Sequence, residues 1–115
     1  MLATKCGRYG VADFDFSAAR IRTSVEESLQ RLRTDRLDLL QAHDIEFGDP
    51  AQIIHETIPA LRQLQSEGKV QAIGITGYPP ALLLRVAEAA AVDCVLSYCH
   101  YTLLTKDLVL SLIHI

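Results

Sequence analysis

Short unbroken apolar runs alternate along the chain with longer stretches in which apolar residues recur every three or four positions. The short runs, at residues 1–6, 36–43, 69–76 and 92–98, read as strands. The longer stretches read as helices. Ser17 suits an N-cap for a helix to about residue 32, with Ile21, Val25, Leu29 and Leu32 on one stripe. Arg20, Arg22, Glu26, Glu27 and Arg33 cover its other side. Asp49-Pro50 opens a second helix to about residue 67, which carries Ile53, Ile54, Thr57, Leu61 and Leu64 on one face. Pro59 removes a backbone bond inside it and predicts a kink or interruption, and Gly68 ends it. Gly77-Tyr78-Pro79-Pro80 leads into a third helix over about residues 81–90, and a fourth begins near Leu103.

Strands alternating with helices imply a parallel sheet, hence an α/β fold. About four parallel strands with intervening helices, in units of roughly 30 residues, predict a partial (β/α)8 TIM barrel. A whole barrel of this kind takes roughly 250 residues. The 115 residues are therefore expected to be a slice of a larger fold, about half of a barrel. Such a slice would leave two sheet edges unpaired and part of the barrel interior open, so it is not expected to be a stable monomer alone.

Composition narrows the partners. A net charge of -3 gives no basis for nucleic acid or an anionic membrane as partner. No apolar stretch approaches the roughly 20 residues that span a bilayer, and no signal-peptide pattern opens the sequence. Three cysteines, Cys6, Cys94 and Cys99, lack zinc or disulfide spacing, so all three read as packing residues in a reducing, cytoplasmic setting.

Two polar residues stand at the ends of apolar runs: Lys5 near the end of the first and His43 at the end of the second. If these runs are neighbouring parallel strands, an ammonium and an imidazole emerge side by side at the carboxyl-terminal rim of a sheet, where barrel enzymes keep their active sites. Taken singly, Lys5 reads first as a solvated strand end and His43 first as a structural histidine.

Thr4-Lys5, the run from Ser24 through Ser28-Leu29, Arg31-Leu32 and Asp35 to Leu37-Asp38, the strand ending at His43, and Gly68-Lys69-Val70-Gln71-Ala72-Ile73-Gly74-Ile75-Thr76 together resemble the aldo-keto reductases over nearly the whole chain. Within that family, His43-Asp44-Ile45-Glu46-Phe47-Gly48 and Leu96-Ser97-Tyr98-Cys99-His100-Tyr101 resemble the branch that oxidises aldoses such as L-galactose. The resemblance implies one barrel domain, of which residues 1–115 are strands 3 to 6, and hydride transfer between NAD or NADP, with NAD preferred, and a small sugar or carbonyl compound. The full-length protein would be a monomer or small oligomer. The family's catalytic group is an Asp, a Tyr, a Lys and a His. Lys5 and His43 match the last two, while the Asp and Tyr are expected upstream of Lys5.

The implied chemistry accounts for the residue types. Hydride transfer to a carbonyl develops negative charge on its oxygen, and a tyrosine can deliver a proton there. A free tyrosine titrates near about 10, and an ammonium beside it stabilises the phenolate. Lys5 would supply that charge, and His43 would donate a hydrogen bond to the substrate oxygen. Thr76-Gly77 stands where the family usually has Ser-Asn for the nicotinamide carboxamide. Thr76 keeps the hydroxyl, while Gly77 offers only backbone; Thr76 reads equally as a turn residue. Leu96 or Ser97 stands where the family has Gln, and Ser97 could replace one hydrogen bond. Asp44 suits a polyhydroxylated sugar, since a carboxylate accepts from hydroxyls, and suits a solvated loop equally. A metal site at His43, Asp44 and Glu46 is not expected, since adjacent loop residues rarely aim at one point. Tyr98, His100 and Tyr101 either line the pocket or pack under the next loop. His55 and His114 belong to outer helical faces, and residues 110–115 depart from the family pattern. The alternative reading is a noncatalytic barrel piece or interaction module of the same fold.

Overall fold

The computed structural model describes residues 1–111. The expectations for residues 112–115, His114 among them, fall outside the described residues.

Four parallel strands form one sheet in the order β1-β2-β3-β4: β1 (Ala3–Cys6), β2 (Leu37–Ala42), β3 (Val70–Gly77) and β4 (Cys94–Ser97). Each strand pairs with the next in sequence, as right-handed βα units wound in one direction must do. The register sets Lys5 opposite Gln41, Ala42 opposite Ile75 and Gly77 opposite Ser97, so all four strands end at a common rim. The architecture is that of a partial (β/α)8 barrel.

The helices are α1 (Ala18–Leu32), α2 (Pro50–Gln52), α3 (Ile58–Ser66), α4 (Pro80–Ala89) and α5 (Asp107–Ser111). They cover one sheet face. Ile21, Val25, Leu61, Leu64 and Leu83 pack there on Leu37, Leu40, Ile73 and Ile75, all almost wholly buried. On the other face Lys5 and Leu96 are exposed and line an open groove of about 420 Å³ with Gln41.

Local chemistry explains where elements start and stop. The Ser17 hydroxyl accepts from Arg20 N and caps α1. Leu32 was expected on the buried stripe. It lies in the last turn, where the chain reverses at Arg33 (φ 52), and is 44% exposed. Ser24 and Ser28 are buried on that stripe instead, between Ile21, Val25 and Leu29. The interruption expected from Pro59 takes the form of a π-helical turn, Ile53–Thr57, joining α2 to α3. Pro59 has no N–H, and the N–H of Ile58 donates to Ile53 O, five residues back. Gly68 closes the helix at φ +78.

Two expectations on the last segment need correction. The fourth strand was expected from Val92. It begins at Cys94, because the Asp93 carboxylate takes the ladder position and accepts from Ile73 N at 2.8 Å. The last helix was expected from Leu103 and begins at Asp107. The Thr102 hydroxyl accepts from Leu104 N and Thr105 N, a local turn that competes with helix.

Candidate active site

The rim collects the residues that the sequence singled out. Cys6 and Ala42 point into the helical layer and are fully buried. By the two-residue alternation of strands, Lys5, Gln41 and His43 share the opposite face. The ladder carries on past β2, with His43 N donating to Cys6 O at 2.8 Å. Lys5 and His43 then lie one strand over and two residues on, with Cα atoms about 8 Å apart by strand spacing. The ammonium has no hydrogen-bond or ion-pair partner among the described residues. Its charge reaches the His43 ring, whose pKa is lowered first by burial and then by Lys5 and Arg8, against the pull of Asp44 and Glu46.

Asp44 is no solvated loop acid. Its side chain is 12% exposed, with Oδ2 2.5 Å from Arg8 Nη1 and Oδ1 3.3 Å from His43 Nε2. Its backbone is left-handed (φ 56), a conformation Asp tolerates, and its N–H donates to Thr76 Oγ1 at 3.2 Å. Asp44 and Thr76, read from sequence as separate substrate and cofactor residues, thus hold each other.

Gly77 is buried with an ordinary φ, yet a Cβ there would meet Glu46 Oε2 at 2.6 Å. Glu46 Oε1 accepts from Tyr78 N at 3.0 Å, while Oε2 is buried without a hydrogen-bond partner. Glu46 therefore ties the β2 loop to the end of β3 and fills the space that a side chain at 77 would need. The Ser97 hydroxyl lies 2.9 Å from His100 Nδ1. His100 is buried beneath Tyr78, with ring centroids 4.7 Å apart, whereas Tyr98 and Tyr101 are exposed.

Sequence reasoning passed over Arg8 and Gln41, and weighed Glu46 only as a metal ligand. Arg8 lies between two glycines in a loop, where no periodicity marks a contact. Gln41 is 5% exposed and was counted only as strand; its amide donates to Cys94 Sγ at 3.7 Å. The packing role holds for Cys6, whose thiol burial pushes up to about 12. It fails for Cys99, which is exposed at φ 64, because the strand stops at Ser97 and the chain turns outward. His55 is on the outer face of the helix, as expected. No metal-ligating group of three or more side chains occurs among the described residues, nor does any helix there reach the length and apolarity needed to cross a membrane. A second cavity of about 540 Å³, lined by Thr34, Asp35, Glu67 and Lys69 among others, lies at the opposite end of the strands, remote from Lys5 and His43.

The profile of the Aldo/keto reductase family matches residues 1–113. The chain belongs to that family. It is 54% identical over 104 residues to L-galactose dehydrogenase of Arabidopsis thaliana, covering 88% of this chain and 32% of the relative. It is 36% identical over 115 residues to D-arabinose 1-dehydrogenase of Saccharomyces cerevisiae, covering 93% and 34%. Among solved structures, the holo form of an aldo-keto reductase from Bacillus halodurans superposes with a TM-score of 0.71 at 33% identity, covering 84% of this chain and 33% of that one. The chain thus spans about a third of the length of the relatives it matches.

Proposed function

We propose that the protein to which this aldo/keto reductase chain belongs is an NAD(P)-dependent oxidoreductase. It moves a hydride between the nicotinamide and a small aldose, with an L-galactose-type sugar oxidised at its anomeric carbon to a lactone and NAD preferred. The observation that carries this reading is the unpartnered Lys5 ammonium sharing a sheet face with His43 at the carboxyl-terminal rim. The 54% identity to a plant L-galactose dehydrogenase supports the substrate class.

Of the donor and the acceptor that a nicotinamide amide needs, Thr76 fits the donor. Thr76 Oγ1 accepts from Asp44 N, which leaves its hydroxyl hydrogen to donate. Glu46 Oε2 is itself buried beside Gly77, on the side where a Cβ would also meet Leu83, so it offers the amide no exposed acceptor. Ser97 is registered with Gly77 and not with Thr76, which sets its hydroxyl on the helical side, 2.9 Å from His100 Nδ1, away from the Lys5 face. When bound, the nicotinamide supplies the hydride chemistry.

The chain's own residues supply field and position. Lys5 lowers the pKa of the proton-donating tyrosine that the family provides upstream, so that it can give or take the proton near neutral pH. His43 holds the substrate oxygen by an N–H donor, and burial keeps the ring neutral. Residues 1–115 without that tyrosine are expected to give no turnover. The test is nicotinamide absorbance with L-galactose and NAD, using the full-length protein and the 115-residue chain side by side. Sugar-dependent reduction of NAD by the full-length protein supports the proposal, and its absence with every aldose tried refutes it. Turnover by the short chain would remove the upstream tyrosine from the mechanism.

A further inference from the structure

One oxygen of the Asp44 carboxylate is bonded within the protein and the other faces the His43 ring. Oδ2 meets Arg8 Nη1 at 2.5 Å, and Oδ1 stands 3.3 Å from His43 Nε2. Arg8 is itself held in place. Its Nε donates to Gly10 O at 3.2 Å, its Nη2 to Val11 O at 3.4 Å, and its guanidinium carbon lies 5.4 Å from the centroid of the Phe14 ring. Phe14 stacks on Phe47 of the β2 loop, with centroids 4.5 Å apart. Beneath them Phe16 fits between Gly7 and Gly48, where a Cβ on either glycine would intrude on its ring. The loop after β1 and the loop after β2 are therefore one assembly, and its polar centre is the Arg8–Asp44 pair.

This arrangement leaves Asp44 poorly suited to gripping a sugar hydroxyl. We propose that Arg8 and Asp44 act instead as a positioning pair for His43, the carboxylate standing 3.3 Å from Nε2 and bracing that edge of the ring at the rim while Arg8 offsets the carboxylate's charge. The proposal rests on the reading of His43 as the group that orients the substrate oxygen.

A lone carboxylate 3.3 Å from an imidazole would draw a proton onto the ring and make it a cation. The groups that face His43 are Asp44 and Glu46 from its own loop, Lys5 from β1 and Arg8 from the loop after β1. Two anions are balanced by two cations, and burial tips the ring toward neutral. A neutral ring keeps a single N–H, which can donate to a substrate oxygen without setting a second full positive charge beside Lys5. The left-handed backbone of Asp44 and its N–H bond to Thr76 keep the carboxylate in this place.

The test is a proton NMR titration of His43 in the full-length protein, with the resonance assigned through a His43 variant. Asp44→Asn keeps a residue that tolerates the left-handed backbone and removes the charge. It should move the His43 midpoint down by about one pH unit, tenfold in the protonation constant. Arg8→Gln should move it up by a similar amount, and the double variant should return toward wild type. A structural role alone would lower stability without driving the two midpoints in opposite directions. Shifts of the same sign, or none, overturn the proposal. So does an Asp44→Asn variant with a raised KM for L-galactose and an unmoved His43 midpoint, which would make Asp44 a sugar contact. If Asp44→Asn does not fold, the upward shift in Arg8→Gln decides alone. None of these readouts needs turnover, so the pair can fail while the oxidoreductase reading stands, and the reverse.

Discussion

Gly77→Ala replaces a hydrogen with a methyl group, and the structure says where it collides. The new Cβ would lie 2.6 Å from Glu46 Oε2 and 3.3 Å from Leu83 Cδ2. An ordinary contact starts near 3.4 Å, so the carboxylate must retreat by 3.4 − 2.6 = 0.8 Å. Glu46 cannot retreat freely, because its other oxygen accepts from Tyr78 N at 3.0 Å. Losing such a charge-assisted bond costs about 1.5–3 kcal/mol. Backbone strain adds nothing, since Gly77 is not among the positive-φ glycines. We therefore expect Gly77→Ala to destabilise the full-length protein by about 2 kcal/mol in urea denaturation. In a Glu46→Ala background the obstacle is gone, and the same change should cost less than about 0.5 kcal/mol, the level at which independent sites add. An equal cost in both backgrounds would refute the reasoning. Glu46 fills the space that any larger side chain at position 77 would need.

Three further outcomes follow from the site and the sheet. Lys5→Met in the full-length protein should cut turnover by about 10²–10⁴-fold, the usual worth of assisted proton transfer, while a fluorescence titration shows NADH binding nearly unchanged; unchanged turnover would take Lys5 out of the mechanism. His43 has a pKa below its usual 6.5, so the unfolded chain binds the proton more readily than the folded one; this ring's contribution is present above about 6.5 and is lost as pH falls below it, and His43→Gln should flatten that part of a urea-midpoint profile. Asp93→Ala removes the acceptor for Ile73 N and the partner of Arg62, with the carboxyl held below its usual range first by the Ile73 bond; it should cost about 1–2 kcal/mol at pH 7 and much less at a pH low enough to protonate Asp93, which paired denaturation curves would check.

The legible parts of the fold were those fixed by short-range chemistry. Ser17 as cap, Asp49-Pro50 as helix start and Gly68 as helix end all act within one turn, and each stands where the sequence put it. Pro59 announced an interruption, but only the Ile58-to-Ile53 bond reveals a π turn. Lys5 and His43 were legible because strand ends can be counted. Their neighbours were not. Arg8 and Asp44 are 36 positions apart, Glu46 and Tyr78 32 apart, and nothing local in either loop marks the partner. Thr102 misled in the other direction, since its hydroxyl turns back onto Leu104 and Thr105 and delays a helix that the apolar pattern started too early. Leu32 misled for want of a cover, because the stripe continues in sequence beyond the residues that pack on it.

The Lys5 charge and the His43 ring must share one pocket for this chemistry, and the most direct test is the His43 titration midpoint in full-length wild type against Lys5→Met. Lys5 disfavours the charged ring, so its removal should raise the midpoint, by a few tenths of a unit or more for a charge at this separation. A midpoint identical in the two proteins would mean that the ammonium and the imidazole do not meet, and the site described here would not exist.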